Sequence, residues 1–290
     1  MSTIIDLDAL DDPEATQADI LRILKQGLTS EADSATAAAK LAESLRGYIF
    51  SQSNGSRGFL ADLLWDLWMT LLHVVKIVPI DHPRHDVLIT TIDKLRCEGG
   101  PVAGPDDSKQ WADLPEFRIC LIYAWADPSD MSEYTPEDVK AWNRLNSFAS
   151  RLLTDDFKDW IQFAWWEIAS GLETAPQDAA EFEWKLWAAT EWLIQCGNLL
   201  FKDLTSPEEL DAEVLATVKP GPLCENVPPM SLQRWEFWQS RLAELSGGKY
   251  SVEGSAEDAV LGASSLSRID QAIAAMRAHA SSSIAQGEIS

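Results

Sequence analysis

The pattern of apolar and polar positions is helical almost from end to end. Apolar residues recur three and four apart, and no stretch alternates as a strand would. Punctuation divides the pattern into elements. Asp12-Pro13-Glu14 opens a first helix to about Gly27, and Ser30 a second, alanine-rich one to about Phe50. After the SQSNGSRG loop, an apolar helix containing LLWDLWMTLLHVV runs from Gly58 to Val78, where Pro79 stops it. Asp81-His82-Pro83 starts the next, to about Arg96, with Asp81 as the expected cap; residues 98–110 read as an exposed loop. Leu114-Pro115-Glu116 begins a helix to about Ala126, and Thr135-Pro136-Glu137-Asp138 another that carries WNRLNSFASRLL. Thr154 is a second cap candidate before Asp155-Asp156, with a helical pattern continuing to about Leu172. Pro176 opens a long helix to about Asp203, and residues 214–230 are proline-rich and irregular. Ser231 caps a helix ended by Gly247-Gly248, and a last amphipathic helix spans about 258–279. The expectation is an all-α fold: a single irregular helical domain of about ten helices over residues 1–280, with 281–290 a fraying, serine-rich tail.

Composition adds a tryptophan-rich interior to that picture. The 290 residues include 13 Trp, with 46% hydrophobic residues, enough for a sizeable core. The formal net charge is −23 with no basic cluster, which argues against nucleic-acid or anionic-membrane partners. An anionic small molecule then needs a local convergence of bases or an intervening metal cation. No run of 18 apolar residues suggests a membrane span. The N-terminal MSTIIDLDALDD lacks the basic and apolar regions of a signal peptide. Cys97, Cys120, Cys196 and Cys224 are widely spaced and read as buried free thiols. These features together predict a cytoplasmic protein, with a homodimer left open.

The usual catalytic signatures are missing. No GxSxG, Walker loop or GxGxxG occurs, so hydrolase, NTPase and dehydrogenase readings lack a starting point. His82 and His85 have metal-like spacing beside two aspartates, but Pro83 fixes a helix start there, which favours a structural turn. His73 and His279 are single histidines without a paired nucleophile.

Several segments, in order, carry a resemblance. LLWDLWMTLLHVVKIVPIDHPRHDVLITTIDKLR, WADLPEFRICLIYAWAD, WNRLNSFASRLL, WKLWAATEWLIQCGNLLF and GPLCENVPPMSLQRWEFWQSRL resemble a large fungal family of unknown function. The resemblance covers about residues 60–245. Its most specific pieces are the Asp-His-Pro turn, Asn146 with Arg151-Leu152, and the Arg-Trp-x-Phe-Trp segment at 234–238. It implies a helical fold. One branch associated with the family is the noncanonical humulene synthase type of fungal meroterpenoid pathways, whose members are all-helical, metal-dependent sesquiterpene cyclases.

That branch implies Mg²⁺ and a prenyl diphosphate substrate, farnesyl diphosphate giving a humulene-like hydrocarbon. The matching string is Asp155-Asp156-Phe157-Lys158-Asp159, a DDxxD sequence. Mg²⁺ takes hard oxygen ligands, and carboxylates at i and i+4 share a helix face. Asp155, Asp156 and Asp159 are therefore the expected metal ligands, and Arg151 and Lys158 the catalytic diphosphate donors, with Lys202 and Arg234 as further candidates. Asp66, with Asp62 one turn earlier, or Glu191 with Asn198 would supply a facing wall; Asn143, Ser147 and Arg151 match the spacing of a second metal motif, but Arg151 stands where its last carboxylate belongs. Trp65, Trp68, Trp165, Trp166 and Trp192 would line the substrate pocket, where indole faces stabilise a carbocation. The competing reading is structural. Acids after Thr154 suit a helix N-terminus, Arg151 suits an ion pair, and indoles fill gaps between helices. On that reading the chain is a non-enzymatic helical ligand- or protein-binding module.

Overall fold

The computed structural model describes residues 13–53, 57–103, 108–206 and 211–285. These residues form eleven α-helices and one two-residue β-ribbon, and they fall into two compact units, 1–148 and 149–290. None of the helices is long and apolar enough to cross a membrane.

The first unit holds α1 (Ala15–Thr29), α2 (Ser34–Gln52), α3 (Arg57–Ile77), α4 (Pro83–Glu98), α5 (Phe117–Ala124) and most of α6 (Pro136–Arg151). α2 packs on α4 and α1, and α3 packs on α1 and α5. α3 supplies the core through Leu64, Leu67, Trp68 and Leu71, one stripe at helical spacing and fully buried. The Trp68 indole sits nearly perpendicular to Trp111 and Phe117, with ring centroids at 6.1 and 5.0 Å. Its Nε1 donates to the Pro115 carbonyl at 2.7 Å. That carbonyl lies between Leu114 and Glu116, both in the left-handed region at φ 42° and 67°, a conformation disfavoured outside glycine. The buried indole thus anchors a strained turn. Arginine and lysine close two helix ends: Arg46 donates to the Leu95 and Gly99 carbonyls at the end of α4, and Lys76 to Ala124 at the end of α5. Burial pulls the Lys76 pKa below its ordinary value.

The second unit is organised around α8 (Ala179–Thr205), which packs on α7 (Gln162–Leu172), α10 (Leu232–Leu245) and α11 (Ala263–Ala285). α7 and α8 meet at Gly171, where a Cβ would lie 2.5 Å from the Lys185 carbonyl oxygen. Any side chain there separates the two helices. Mid-way, α8 is interrupted at Cys196 (φ −132°, ψ 21°), and Gly197 beside it admits His279 of α11. The His279 Nε2 is buried with no hydrogen-bond partner, and burial lowers its pKa.

Several expectations are corrected. The helix expected from Thr154 starts only at Gln162, and part of the irregular 214–230 stretch belongs to α9 (Ala212–Thr217). The cap of α4 is His82, whose Nδ1 accepts from the Arg84 N–H, rather than Asp81. The ribbon of β1 (Lys249–Tyr250) and β2 (Ala259–Val260) went unforeseen because two residues are too few to show alternation. α11 continues to Ala285, into the segment expected to fray; residues 1–12 and 286–290 lie outside the described residues. The cysteines are free, but Cys97 is exposed on α4. Burial pushes the Cys120 thiol up to about 12 and Cys224 to about 11, and raises Cys196 as well.

Two predictions follow from these packings. Trp68→Ala should lower the unfolding free energy by about 3–5 kcal/mol in urea titration, since it removes a fully buried indole and the anchor of the 114–116 turn. A loss below about 1 kcal/mol would contradict that role. His279, with its folded pKa lowered, makes its full contribution above the ordinary histidine value of about 6.5 and loses it as pH falls below that value. The stability of wild type should therefore drop more steeply than that of His279→Asn between about pH 7.5 and 5. Parallel curves would remove His279 from the pH response.

Candidate functional site

The DDxxD string is built differently from a helical metal motif. Residues 154–157 form a tight turn in which the Thr154 and Phe157 backbones exchange hydrogen bonds of 3.0 and 3.2 Å. Phe157 and Trp160 point inward and meet edge to face at 5.2 Å, so the aromatic residues anchor the loop. Asp155, Asp156 and Asp159 remain on the exposed side. The expectation that these acids share a helix face is therefore overturned: buried aromatics at 157 and 160 set the local path instead of a cap at Thr154.

The acids and bases of this loop pair with the end of α8. Asp155 accepts from Lys202 at 2.9 Å, and Lys158 donates to Asp203 at 2.7 Å. The Asp156 carboxylate accepts from the Thr154 hydroxyl at 2.6 Å. Lys158 and Lys202, both expected to meet a diphosphate, are engaged by carboxylates of this chain. Arg151 ends α6 and is partly buried, as is Asn198 on α8. Among the described residues no group of three or more His, Cys, Asp or Glu side chains is arranged to hold a metal ion.

Arg234, the other diphosphate candidate, is fully buried in the second unit. Its guanidinium donates to both oxygens of Glu173, at 2.6 and 3.0 Å, and to the carbonyls of Val218 and Pro229. Glu173 also accepts from the Trp238 indole at 2.6 Å and from the Gly221 N–H at 2.7 Å. Both side chains of the pair are fully buried. The Arg234 guanidinium lies over Trp165 and Trp238, 5.1 and 5.5 Å from their ring centroids. Arg268 covers Trp187 at 4.2 Å while its terminal nitrogen donates to Glu191 at 2.6 Å. Cation–π contact is thus present, and the cations are the protein's own arginines.

The other expected residues separate by unit. Trp165 and Trp192 are buried in the second, but Trp166 is 44% exposed and donates to the Thr217 carbonyl, so it does not line an interior. On α7 it lies about 100° around the helix from the buried Trp165, enough to bring its indole to the surface. In the first unit Trp68 is core, Asp62 is exposed, and Asp66 is partly buried. Asp66, expected on a facing metal wall, accepts from the Gln17 side-chain amide of α1 at 3.1 Å.

One surface escaped the sequence reading. In α5, FRICLIYA, the residues Phe117, Cys120, Leu121 and Ala124 face inward at helical spacing. The opposite side carries Arg118 with Ile119 and Ile122, each 40% exposed, and Tyr123, 67% exposed. Tyr123 meets Trp65 of α3 edge to face at 4.9 Å. A short helix apolar on both sides was the available signal, since a one-sided helix would be polar outward.

A family model described as a protein of unknown function (DUF3632) matches residues 68–242, more than half of the chain. The chain belongs to the DUF3632 family. The DUF3632 segment includes the α5 surface, the acidic turn and the Glu173–Arg234 pair. No curated protein and no solved structure matches the chain.

The two charge arrangements should respond differently to mutation. Glu173→Gln leaves Arg234 buried against a neutral partner and should cost about 3–5 kcal/mol in chemical denaturation. Lys202→Ala breaks an exposed pair and should cost about 0–1 kcal/mol. Equal losses would show that the buried pair has no special structural weight.

Proposed function

We propose that this chain is a non-enzymatic helical protein-binding module whose docking surface is the outward side of α3 and α5. The observation that supports it is the composition of that surface. Ile119, Ile122 and Tyr123 stand exposed beside Trp65 in a chain of net charge −23, where outward helix positions are expected to be polar. The test is affinity capture from the cells that express the protein, comparing wild type with Ile122→Ser/Tyr123→Ser. At least one protein recovered in stoichiometric amount by wild type should be lost by the variant. Identical partner sets would overturn the reading.

A Mg²⁺-dependent sesquiterpene cyclase acting on farnesyl diphosphate is the second reading. It draws on the resemblance and on the convergence of the acidic turn with Lys158, Lys202 and Asp203 at one end of α8. Carboxylate oxygens and lysines are donor types suited to Mg²⁺ and diphosphate. Against it, Lys202 engages Asp155 and the Thr154 hydroxyl engages Asp156, and the three acids do not lie on a helix. Incubation with farnesyl diphosphate and Mg²⁺, with and without EDTA, followed by headspace gas chromatography, separates the two readings. The module yields no hydrocarbon. An EDTA-sensitive hydrocarbon, lost in Asp155→Ala and Asp159→Ala, would replace it with the cyclase.

A further inference from the structure

We infer that the α3–α5 surface docks a basic amphipathic helix of a partner protein, an inference that rests on the docking role proposed above and adds the partner's chemistry. The surface carries an apolar strip. Ile119, Ile122 and Tyr123 lie three and four residues apart on one side of α5, and Trp65 extends the strip onto α3 through its edge contact with Tyr123. A helix laid along it would present apolar side chains three and four residues apart.

The charges around the strip set the sign of the partner. Asp113 is exposed before α5, and Asp127 and Asp130 follow its end, with Asp130 exposed. On α3, Asp62 is exposed and Asp66 partly so. Lys109 is engaged by Glu116, the Lys76 ammonium is tied to the Ala124 carbonyl at 2.8 Å, and Arg118 is the basic residue on the outward side of α5 itself. The chain as a whole carries 46 acidic residues against 23 basic ones. An acidic helix would be repelled, and a second copy would bring another −23 of like charge to the contact. Lysines and arginines flanking an apolar stripe satisfy both the strip and its rim.

The test uses the full chain and a labelled Leu/Lys amphipathic peptide of about four helical turns, read by fluorescence anisotropy. The expected result is saturable binding that weakens as salt rises from about 50 to 300 mM. A peptide with the leucines replaced by serine should bind about tenfold more weakly or worse, as should Leu/Lys peptide to Ile122→Ser/Tyr123→Ser. Val214→Ser/Leu232→Ser, which changes exposed apolar residues of the other unit, should bind like wild type. If a Leu/Glu peptide binds as well as Leu/Lys, or binding ignores salt, the basic partner is overturned while the docking surface stands. If Ile122→Ser/Tyr123→Ser binds Leu/Lys peptide like wild type, the surface itself is overturned. If light scattering finds a wild-type dimer that this variant dissolves, a second copy is the occupant and the basic partner falls.

Discussion

A carboxylate and a guanidinium enclosed together in an apolar interior constrain everything around them. Glu173 and Arg234 are both fully buried, and each remaining polar contact of the pair fixes another part of the second unit. Val218 and Pro229 deliver carbonyls to Arg234 from the connection between α9 and α10; Gly221 delivers its N–H to Glu173 from the same connection. The Leu223 N–H donates to the Glu173 carbonyl at 2.8 Å. A proline-rich segment with little regular structure thereby acquires one path. Burying two charges carries a heavy desolvation cost, which favours retention only where all the surrounding donors and acceptors are in register. The pair therefore specifies geometry more than it adds stability.

The same principle explains the tryptophans. Trp165 and Trp238 bracket Arg234, Trp187 lies under Arg268, and Trp111 lies 5.5 Å from the Arg46 guanidinium. Indole is large enough to span helices and electron-rich enough to accept a cation on its face. In a chain this acidic, the few arginines are drawn into ion pairs and aromatic stacks. Of the indoles expected to form a carbocation wall, Trp165 already has a guanidinium, that of Arg234, over its face.

Helix periodicity and caps were legible in the sequence because they are local: the α1, α3, α6 and α10 segments follow from apolar spacing and their starting residues. What was not legible depends on partners distant along the chain. Arg234 finds Glu173 61 residues away, and nothing near either residue announces the pair. The turn at Thr154–Phe157 looked helical because acids after a threonine suit a first turn, but the burial of Phe157 and Trp160 decides the path. Trp165 and Trp166 look alike in sequence, but they lie about 100° apart on α7, and only the first falls within its buried face. The α5 surface was within reach, since its inward stripe and its excess apolar residues both lie within FRICLIYA.

The cysteines divide as sharply as the charges. Three are enclosed, with thiols held in the protonated form by burial, and Cys97 alone stands at the surface on the last turn of α4. A maleimide dye added to the folded protein would meet one reactive sulfur in a molecule whose native fluorescence comes from 13 indoles. Energy transfer to that single point then reports on the folded chain without any engineered cysteine, and disappearance of the one-to-one labelling ratio marks the moment the interior opens.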